Sequence, residues 1–386
     1  MKNSLLISGI TIADAVEESI VGDILIEDGQ ISRVAEKIDV EADVHIEASG
    51  KNWTAFPGFI DVHIHGAAGH DVMDATSEAL VGLAKALPKE GTTSFLATTM
   101  TQSDEAISAA LDNIREFQAG EGQAEMLGVH LEGPFISAER AGAQPIEHIV
   151  KASYPLFQKW QKLSGNQIRL ITLAPETHGA MEFIKKLTDD GIITSIGHSD
   201  ATFEEVQAAV RSGASHVTHL YNQMSPFHHR KPGVVGAALM EEGLMVEVIA
   251  DFIHSHPASV EMAFRQKGAD RLMLITDAMR AKGLPPGVYD LGGQDVQVTK
   301  KDARLADGTL AGSILTMDRA IQNVQSITGC SVNELVVMTS ANAANELGLA
   351  GKGKIHDGAD ADIAILDEDL NVQLTICRGT IAYRKE

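Results

Sequence analysis

Cysteine is nearly absent from this chain: Cys330 and Cys377 are the only two. Two thiols cannot build a disulfide framework, and the simpler expectation is a protein of a reducing cytoplasm. Positive charge is scarce as well. Lysines and arginines number 31 against 53 aspartates and glutamates, a net charge of −22. Such a surface repels a nucleic-acid duplex and an anionic membrane, so neither is expected as a partner. Any anionic ligand then requires a local basic pocket. Long apolar runs are missing too. No stretch of about 18 apolar residues is available to span a bilayer, and Met1-Lys2-Asn3-Ser4-Leu5-Leu6-Ile7 lacks the apolar segment of a signal peptide. Low-complexity segments and internal repeats are also wanting. With 44% hydrophobic and 22% charged residues among 386, the chain reads as an ordinary globular protein with room for one to three domains.

What is present begins with β patterns at both ends. Asp23-Ile24-Leu25-Ile26-Glu27 runs into the turn pair Asp28-Gly29 and then Ile31-Ser32-Arg33-Val34. Near the other end, 361–366 and 372–376 are strand candidates, with a turn at Arg378-Gly379. This predicts a small β-sandwich domain assembled from 1–55 and 351–386. Between them, 56–350 alternates apolar runs with amphipathic stretches. The runs end near His65, Thr98, Glu132, Glu176, His198, His219, Asp251 and Asp277, and 77–90, 103–118, 179–190 and 200–212 have helical patterning. Ser103 and Asp200 suit the N-caps of two of these. Eight strand–helix units predict an α/β fold, a (β/α)8 barrel of the TIM type. A doubly wound open sheet has the same alternation, but it would spread the polar strand-end residues along a crevice instead of converging them.

Those strand-end residues are of the metal-binding kind. Side chains alternate along a strand, so His63 and His65 of Asp61-Val62-His63-Ile64-His65-Gly66 point the same way, a pair suited to zinc or iron. Alone, such a pair is also what an exposed polar strand face looks like. Glu132 closes the third apolar run before Gly133-Pro134 and is placed to bridge two metals; a solvated strand-end carboxylate would look the same. His198 and His219 end the fifth and sixth runs, where a satisfied core histidine is the competing reading. Asp277 ends the eighth, suited to taking a proton from a water and returning it to a leaving group, or else to a structural ion pair. The bland readings weaken together, because five strand ends carry ligand-type residues in the order a barrel site requires. His130 shares the parity of Glu132 but sits farther from the strand end, so it is read as packing or support. His216 is deeper than His219 and is set aside. His45, His70, His148, His178, His256 and His356 lack such a context and are expected at the surface.

Taken together, Pro57-Gly58-Phe59-Ile60-Asp61, His130-Leu131-Glu132-Gly133-Pro134, Leu173-Ala174-Pro175-Glu176, Gly197-His198-Ser199, Thr218-His219-Leu220-Tyr221-Asn222, Thr276-Asp277-Ala278 and Gly308-Thr309-Leu310-Ala311-Gly312-Ser313 resemble the amidohydrolase superfamily, and within it the enzymes that deacetylate amino-sugar phosphates. The C-terminal Gly353-Lys354-Ile355 and Gly358-Ala359-Asp360-Ala361-Asp362 extend the likeness to essentially the whole chain. The resemblance implies a metal-dependent hydrolysis of an N-acetylated glucosamine 6-phosphate, in amino-sugar catabolism and cell-wall sugar recycling. The galacto epimer, another N-acyl or cyclic amide, and a non-catalytic scaffold are the alternatives. It implies that Glu132, His198 and His219 hold one divalent metal and that His63 and His65, sharing Glu132, hold a second. Zinc or ferrous iron suits these donors best, with manganese or cobalt next. Many relatives bridge two metals with a carbamylated lysine on the fourth strand; 168–176 contains no lysine, which leaves Glu132.

The likeness also implies substrate contacts. Arg230, in the basic run His228-His229-Arg230-Lys231, and His254 are expected at the phosphate, with backbone N–H groups of Asn222 and Gln223 nearby. Leu310, Ala311 and Gly312 are placed against the ligand on a loop able to close over the sugar. Where some relatives have a histidine after the third strand, this chain has Ala143-Gln144. Gln144 can donate a hydrogen bond to the acetyl carbonyl but cannot carry a proton as an imidazole does. A homodimer is expected, with His228 and His229 candidates for the subunit contact.

Overall fold

Phe59–Ile64 and Thr92–Thr99 are buried along their whole length, as strands of a parallel sheet covered on both faces must be. In the computed structural model, which describes residues 4–386, they are β1 and β2 of an eight-stranded parallel barrel. The others are β3 (Glu125–Glu132), β4 (Ile168–Leu173), β5 (Ile193–Ile196), β6 (His216–Val217), β7 (Met245–Ile249) and β8 (Leu272–Ile275). Neighbours pair in sequence order from β1 to β8. Between β8 and β1 the ring is closed just beyond the strands, where Asp277 N–H donates to His63 O at 2.8 Å and His65 N–H to Ala278 O at 2.9 Å. The predicted barrel is therefore the observed one, and the open-sheet alternative falls.

Helices α1 (Ser77–Ala86), α2 (Asp104–Glu116), α3 (Tyr154–Leu163), α4 (Ala180–Asp189), α5 (Phe203–Ser212), α6 (Gly233–Met240), α7 (Pro257–Lys267) and α8 (Met317–Thr328) follow successive strands. Five of the eight, α1, α2, α3, α5 and α7, start with a side-chain cap. Ser103 caps α2 as expected, its Oγ accepting from Ala106 N–H at 3.2 Å. Asp200 does not cap α5. Thr202 does, in a reciprocal box with Glu205, while Asp200 accepts from the Arg140 guanidinium and donates its N–H to Glu176. The end of α5 is Gly213 at φ 116°, a conformation that disfavours any side chain.

Both chain ends enter one mostly antiparallel sheet. Thr54–Pro57 pairs in parallel with Ser4–Ile12 and antiparallel with Ile363–Leu366, which continues through Val372–Cys377 to Thr380–Arg384. The predicted hairpin is present as Ile20–Glu27 and Gln30–Ala35. The two ends of this sheet meet: Gln30 bridges Asp360, and Gly29 lies against Gly379. Ile7, Ile24, Ile31, Ile363 and Ile376 fill the space between as a core of their own. Thr54–Pro57 leads straight into β1, so the terminal sheet anchors the strand that carries the HxH pair.

Several small elements have no counterpart in the sequence pattern, among them the strand pair Gly66–Ala67 and His70–Asp71, and one of them borders the site. After β8 the chain makes a three-stranded antiparallel sheet, Gly287–Leu291, Gln294–Val298 and Ala303–Arg304. Among the described residues no helix is long and apolar enough to cross a membrane.

Candidate active site

The ends of β1, β3, β5, β6 and β8 bring six predicted side chains to one spot. Glu132 is the last residue of β3, whereas His198, His219 and Asp277 lie two residues beyond their strands. Each of those three holds a left-handed backbone, φ 46°, 29° and 48°. That turn aims the side chain back over the barrel mouth instead of out along the strand.

The imidazole Nε2 atoms converge. Those of His198 and His219 each lie 3.2 Å from Glu132 Oε1 and 3.1 Å from each other. His63 Nε2 is 3.4 Å from the same oxygen and 3.5 Å from Asp277 Oδ1. His65 Nε2 is 3.2 Å from Glu132 Oε2 and 3.3 Å from Asp277 Oδ1. Two triads result, Glu132–His198–His219 and His63–His65–Asp277, and the two oxygens of Glu132 face both.

The opposite ring nitrogens fix the tautomers. His65 Nδ1 donates to Thr98 O at 3.2 Å and His198 Nδ1 to Arg140 O at 2.8 Å. A carbonyl oxygen only accepts, so the proton sits on Nδ1 and the Nε2 lone pair faces the centre. His63 Nδ1 donates to the Glu247 carboxylate at 2.9 Å. The centre is thus walled by lone pairs and carboxylates, and the buried His63 Nε2 has no hydrogen-bond partner. Acceptors crowded to 3.1–3.5 Å are held together by a shared positive charge, a proton or a bound cation. Ligand atoms about 2.0–2.2 Å from a tetrahedral ion stand roughly 3.3–3.6 Å apart, close to the spacing seen here. The donor set therefore fits a divalent metal. The electrostatics agree. Burial alone would lower the His65 pKa, but Asp277 and Glu132 outweigh it and push it up to about 10. Burial would raise Glu132, yet His63, His198 and His219 hold it well below the usual carboxylate range. His130, by contrast, is pushed down to about 3 by burial and by His63, and its Nε2 meets Thr172 Oγ1 at 2.7 Å. It is a neutral packing residue, as expected.

A cavity of about 300 Å³ opens over the centre, lined by His65, Glu132, His198, His219 and Asp277 together with Ala143, Gln144, Asn222, Gln223, His254, Leu310 and Gly312. Gln144 is oriented by its surroundings: Thr101 N–H donates to Oε1 at 2.7 Å, and Nε2 donates to Glu132 Oε2 at 2.8 Å. Two expected residues are elsewhere. Arg230 is exposed and lines a separate cavity with Arg140, Asp200 and Lys231, its guanidinium 2.7 Å from His229. Ala311 turns away from the ligand space into the core of the three-stranded insert, beside Met279 and Val296.

Sequence reasoning missed three residues. Arg304, at the end of the insert, lines the cavity where Arg230 does not. Glu247 sits fully buried in the middle of β7, and a glutamate inside Met245-Val246-Glu247-Val248-Ile249 was the available signal. Asp61 opens the HxH motif and is wholly buried; it accepts from the backbone N–H groups of His63 and Thr276 and so ties β1 to β8. Among the histidines expected at the surface, His70 and His148 are half-buried, and His70 packs against Gly82. A larger cavity of about 920 Å³ lies at the N-terminal end of the barrel. It has no comparable convergence of groups, so size does not mark the site.

An eight-stranded parallel barrel with His, Glu and Asp clusters at the C-terminal ends of its strands defines a class, and the chain belongs to it: residues 54–382 match the Amidohydrolase family. Within that metal-dependent family the chain is similar to N-acetylglucosamine-6-phosphate deacetylase of Lysinibacillus sphaericus, 52% identical over 379 residues, 98% of this chain and 97% of that protein. The protein of the same name from Bacillus subtilis (strain 168) is 49% identical over 389 residues, 99% of this chain and 98% of that one. A solved structure of mutant N-acetyl-D-glucosamine-6-phosphate deacetylase from Mycobacterium smegmatis, in complex with N-acetyl-D-glucosamine-6-phosphate, superposes with a TM-score of 0.90 at 30% identity, covering 99% of each chain.

Proposed function

We propose that this chain hydrolyses the acetamide of N-acetyl-D-glucosamine 6-phosphate to D-glucosamine 6-phosphate and acetate. The observation that carries the reading is the convergence of four imidazoles and two carboxylates at the floor of a sugar-sized cavity. We assign Glu132, His198 and His219 to one divalent cation and His63 and His65, sharing Glu132, to a second; zinc or ferrous iron fits these donors best, manganese or cobalt next. When bound, such a cation acidifies a water and polarises a carbonyl.

The remaining chemistry belongs to the protein. Burial would raise the Asp277 pKa, but His63 and His65 hold the carboxyl below its usual range, so it is charged and able to accept. Asp277 takes the proton of the attacking water and delivers it to the departing nitrogen. Gln144, its oxygen fixed by Thr101 and one N–H given to Glu132, keeps a second N–H for the acetyl oxygen. At the phosphate, His254 Nδ1 is held by Asp251 at 2.7 Å, which leaves Nε2 for the ligand. Arg304 gives Nε to Asp302 and Nη1 to Gly308 O, which leaves Nη2. The backbone N–H of Gln223 completes that end, whereas that of Asn222, expected there too, is given to His219 O at 3.0 Å; Leu310 and Gly312 cover the sugar.

We assign the catalytic unit to 56–350 and the small β unit to 1–55 with 351–386. The exposed loop of His228, His229 and Arg230 is assigned to the contact of a cytoplasmic homodimer; Arg230 would then meet phosphate only across that contact. Acetate release from metal-replete protein, measured on N-acetylglucosamine 6-phosphate, its galacto epimer and the unphosphorylated sugar, tests the reading. Release from the first alone is expected. Equal release from the unphosphorylated sugar would overturn the phosphate assignment, and a faster galacto epimer the substrate.

A further inference from the structure

A line of three side chains, running through the barrel to the back of His63, plays no part in the reaction above. It starts at Glu346, which borders the cavity at the N-terminal end of the barrel. Glu346 Oε2 is 2.8 Å from His216 Nδ1, and His216 Nε2 is 3.1 Å from Glu247 Oε1. Glu247 Oε2 then accepts from His63 Nδ1 at 2.9 Å and from the His219 backbone N–H at 3.2 Å. His216, Glu247 and His63 are fully buried. His216 has a carboxylate on each nitrogen, so it donates from both and is an imidazolium. Minus, plus and minus thus alternate up to the back of His63.

No other imidazole of the centre is backed in this way. His65 and His198 donate to neutral carbonyls, and His219 Nδ1 has no hydrogen-bond partner. A carboxylate behind a ligating imidazole fixes the ring and makes its far nitrogen a stronger donor. A buried carboxylate is costly unless it is paired, and His216 with Glu346 supplies that pairing.

We propose that Glu247 is a positioning residue for His63, kept charged and in place by His216 and Glu346, and that this line sets the affinity of the His63–His65 half of the centre for a divalent cation independently of the Glu132–His198–His219 half. The inference rests on the metal reading of the centre, not on the identity of the sugar. The test is a zinc titration of metal-free full-length protein against a chromophoric chelator, with zinc content confirmed by elemental analysis. Wild type is expected to take two zinc ions per chain. Glu247→Gln keeps the shape and removes the charge; it should weaken one of the two about 10–100-fold and leave the other unchanged. Glu346→Gln, remote from the centre, should weaken the same ion by a smaller factor, and it carries the test if Glu247→Gln does not fold. Equal weakening of both ions, no weakening of either, or a wild type that takes one zinc indifferent to both substitutions overturns the proposal. A wild type that binds no zinc, iron, manganese or cobalt overturns the metal reading itself.

Discussion

His198, His219 and Asp277 occupy a left-handed backbone that costs a non-glycine residue on the order of 1–3 kcal/mol. The surrounding hydrogen bonds hold them there: Leu220 N–H donates to Glu247 O, Ser199 N–H to Gln223 O and Asp277 N–H to His63 O. Their residue types were legible because each follows an apolar run; their backbone conformation was not, since nothing in a histidine or aspartate announces a positive φ. Asp277→Asn keeps the shape of the side chain but removes its capacity to accept the proton, so turnover should fall at least about 10³-fold while bound metal is retained. Kinetics with elemental analysis check this, and surviving turnover above a tenth of wild type would contradict it. Arg230 and Arg304 show the limit of reading basic residues from a linear chain. The dense run at 228–231 drew attention, yet the cavity of its own chain is bordered by Arg304, an isolated arginine on an insert whose topology was not foreseen. Arg304→Ala should raise KM for the phosphorylated sugar about tenfold or more and change kcat little. An unchanged KM would remove Arg304 from the phosphate.

At the scale of elements, the alternation of buried strands and capped helices was readable, and strand parity placed His63 and His65 on one side. The short strands were harder. β6 contains only His216 and Val217, and Glu247 hides in mid-strand where a search of strand ends does not look. The union of the two chain ends was inferred from matching β content, but what fastens them to the barrel was not. Lys352 is buried among three carboxylates, 2.6 Å from Asp362, 2.7 Å from Glu125 at the start of β3 and 3.3 Å from Asp360. Burial would lower its pKa, but Asp362 and Glu125 raise it above the ordinary lysine value. Lys352→Ala leaves those carboxylates facing one another, and a loss of about 3–5 kcal/mol is expected in denaturant unfolding, with the metal site of any folded protein intact. A loss below about 1 kcal/mol would show that the ion cluster does not join the two units.

For the whole molecule, the acidic composition works against the proposed phosphate-binding task, and Arg304 and His254 at the cavity are the local groups that offset it. The same electrostatics reach the barrel interior. Burial alone would depress His216, but Glu346 and Glu247 outweigh it and raise it to about 10. A folded-state pKa above the unfolded value near 6.5 means that this ion pairing stabilises fully below about pH 6.5 and is lost as pH rises through about 10. In metal-free protein the difference in Tm between wild type and His216→Asn should therefore shrink from pH 6.5 to 10; a constant difference would show that His216 does not titrate there. The central claim joins the metal centre to the chemistry, and one titration addresses both. Zinc or ferrous iron is returned stepwise to metal-free protein while bound metal and acetate release from N-acetylglucosamine 6-phosphate are recorded on the same samples. Acetate release should be absent without metal, rise with occupancy and level off by two ions per chain. Full activity in metal-free protein, or no acetate at full occupancy, would contradict the account.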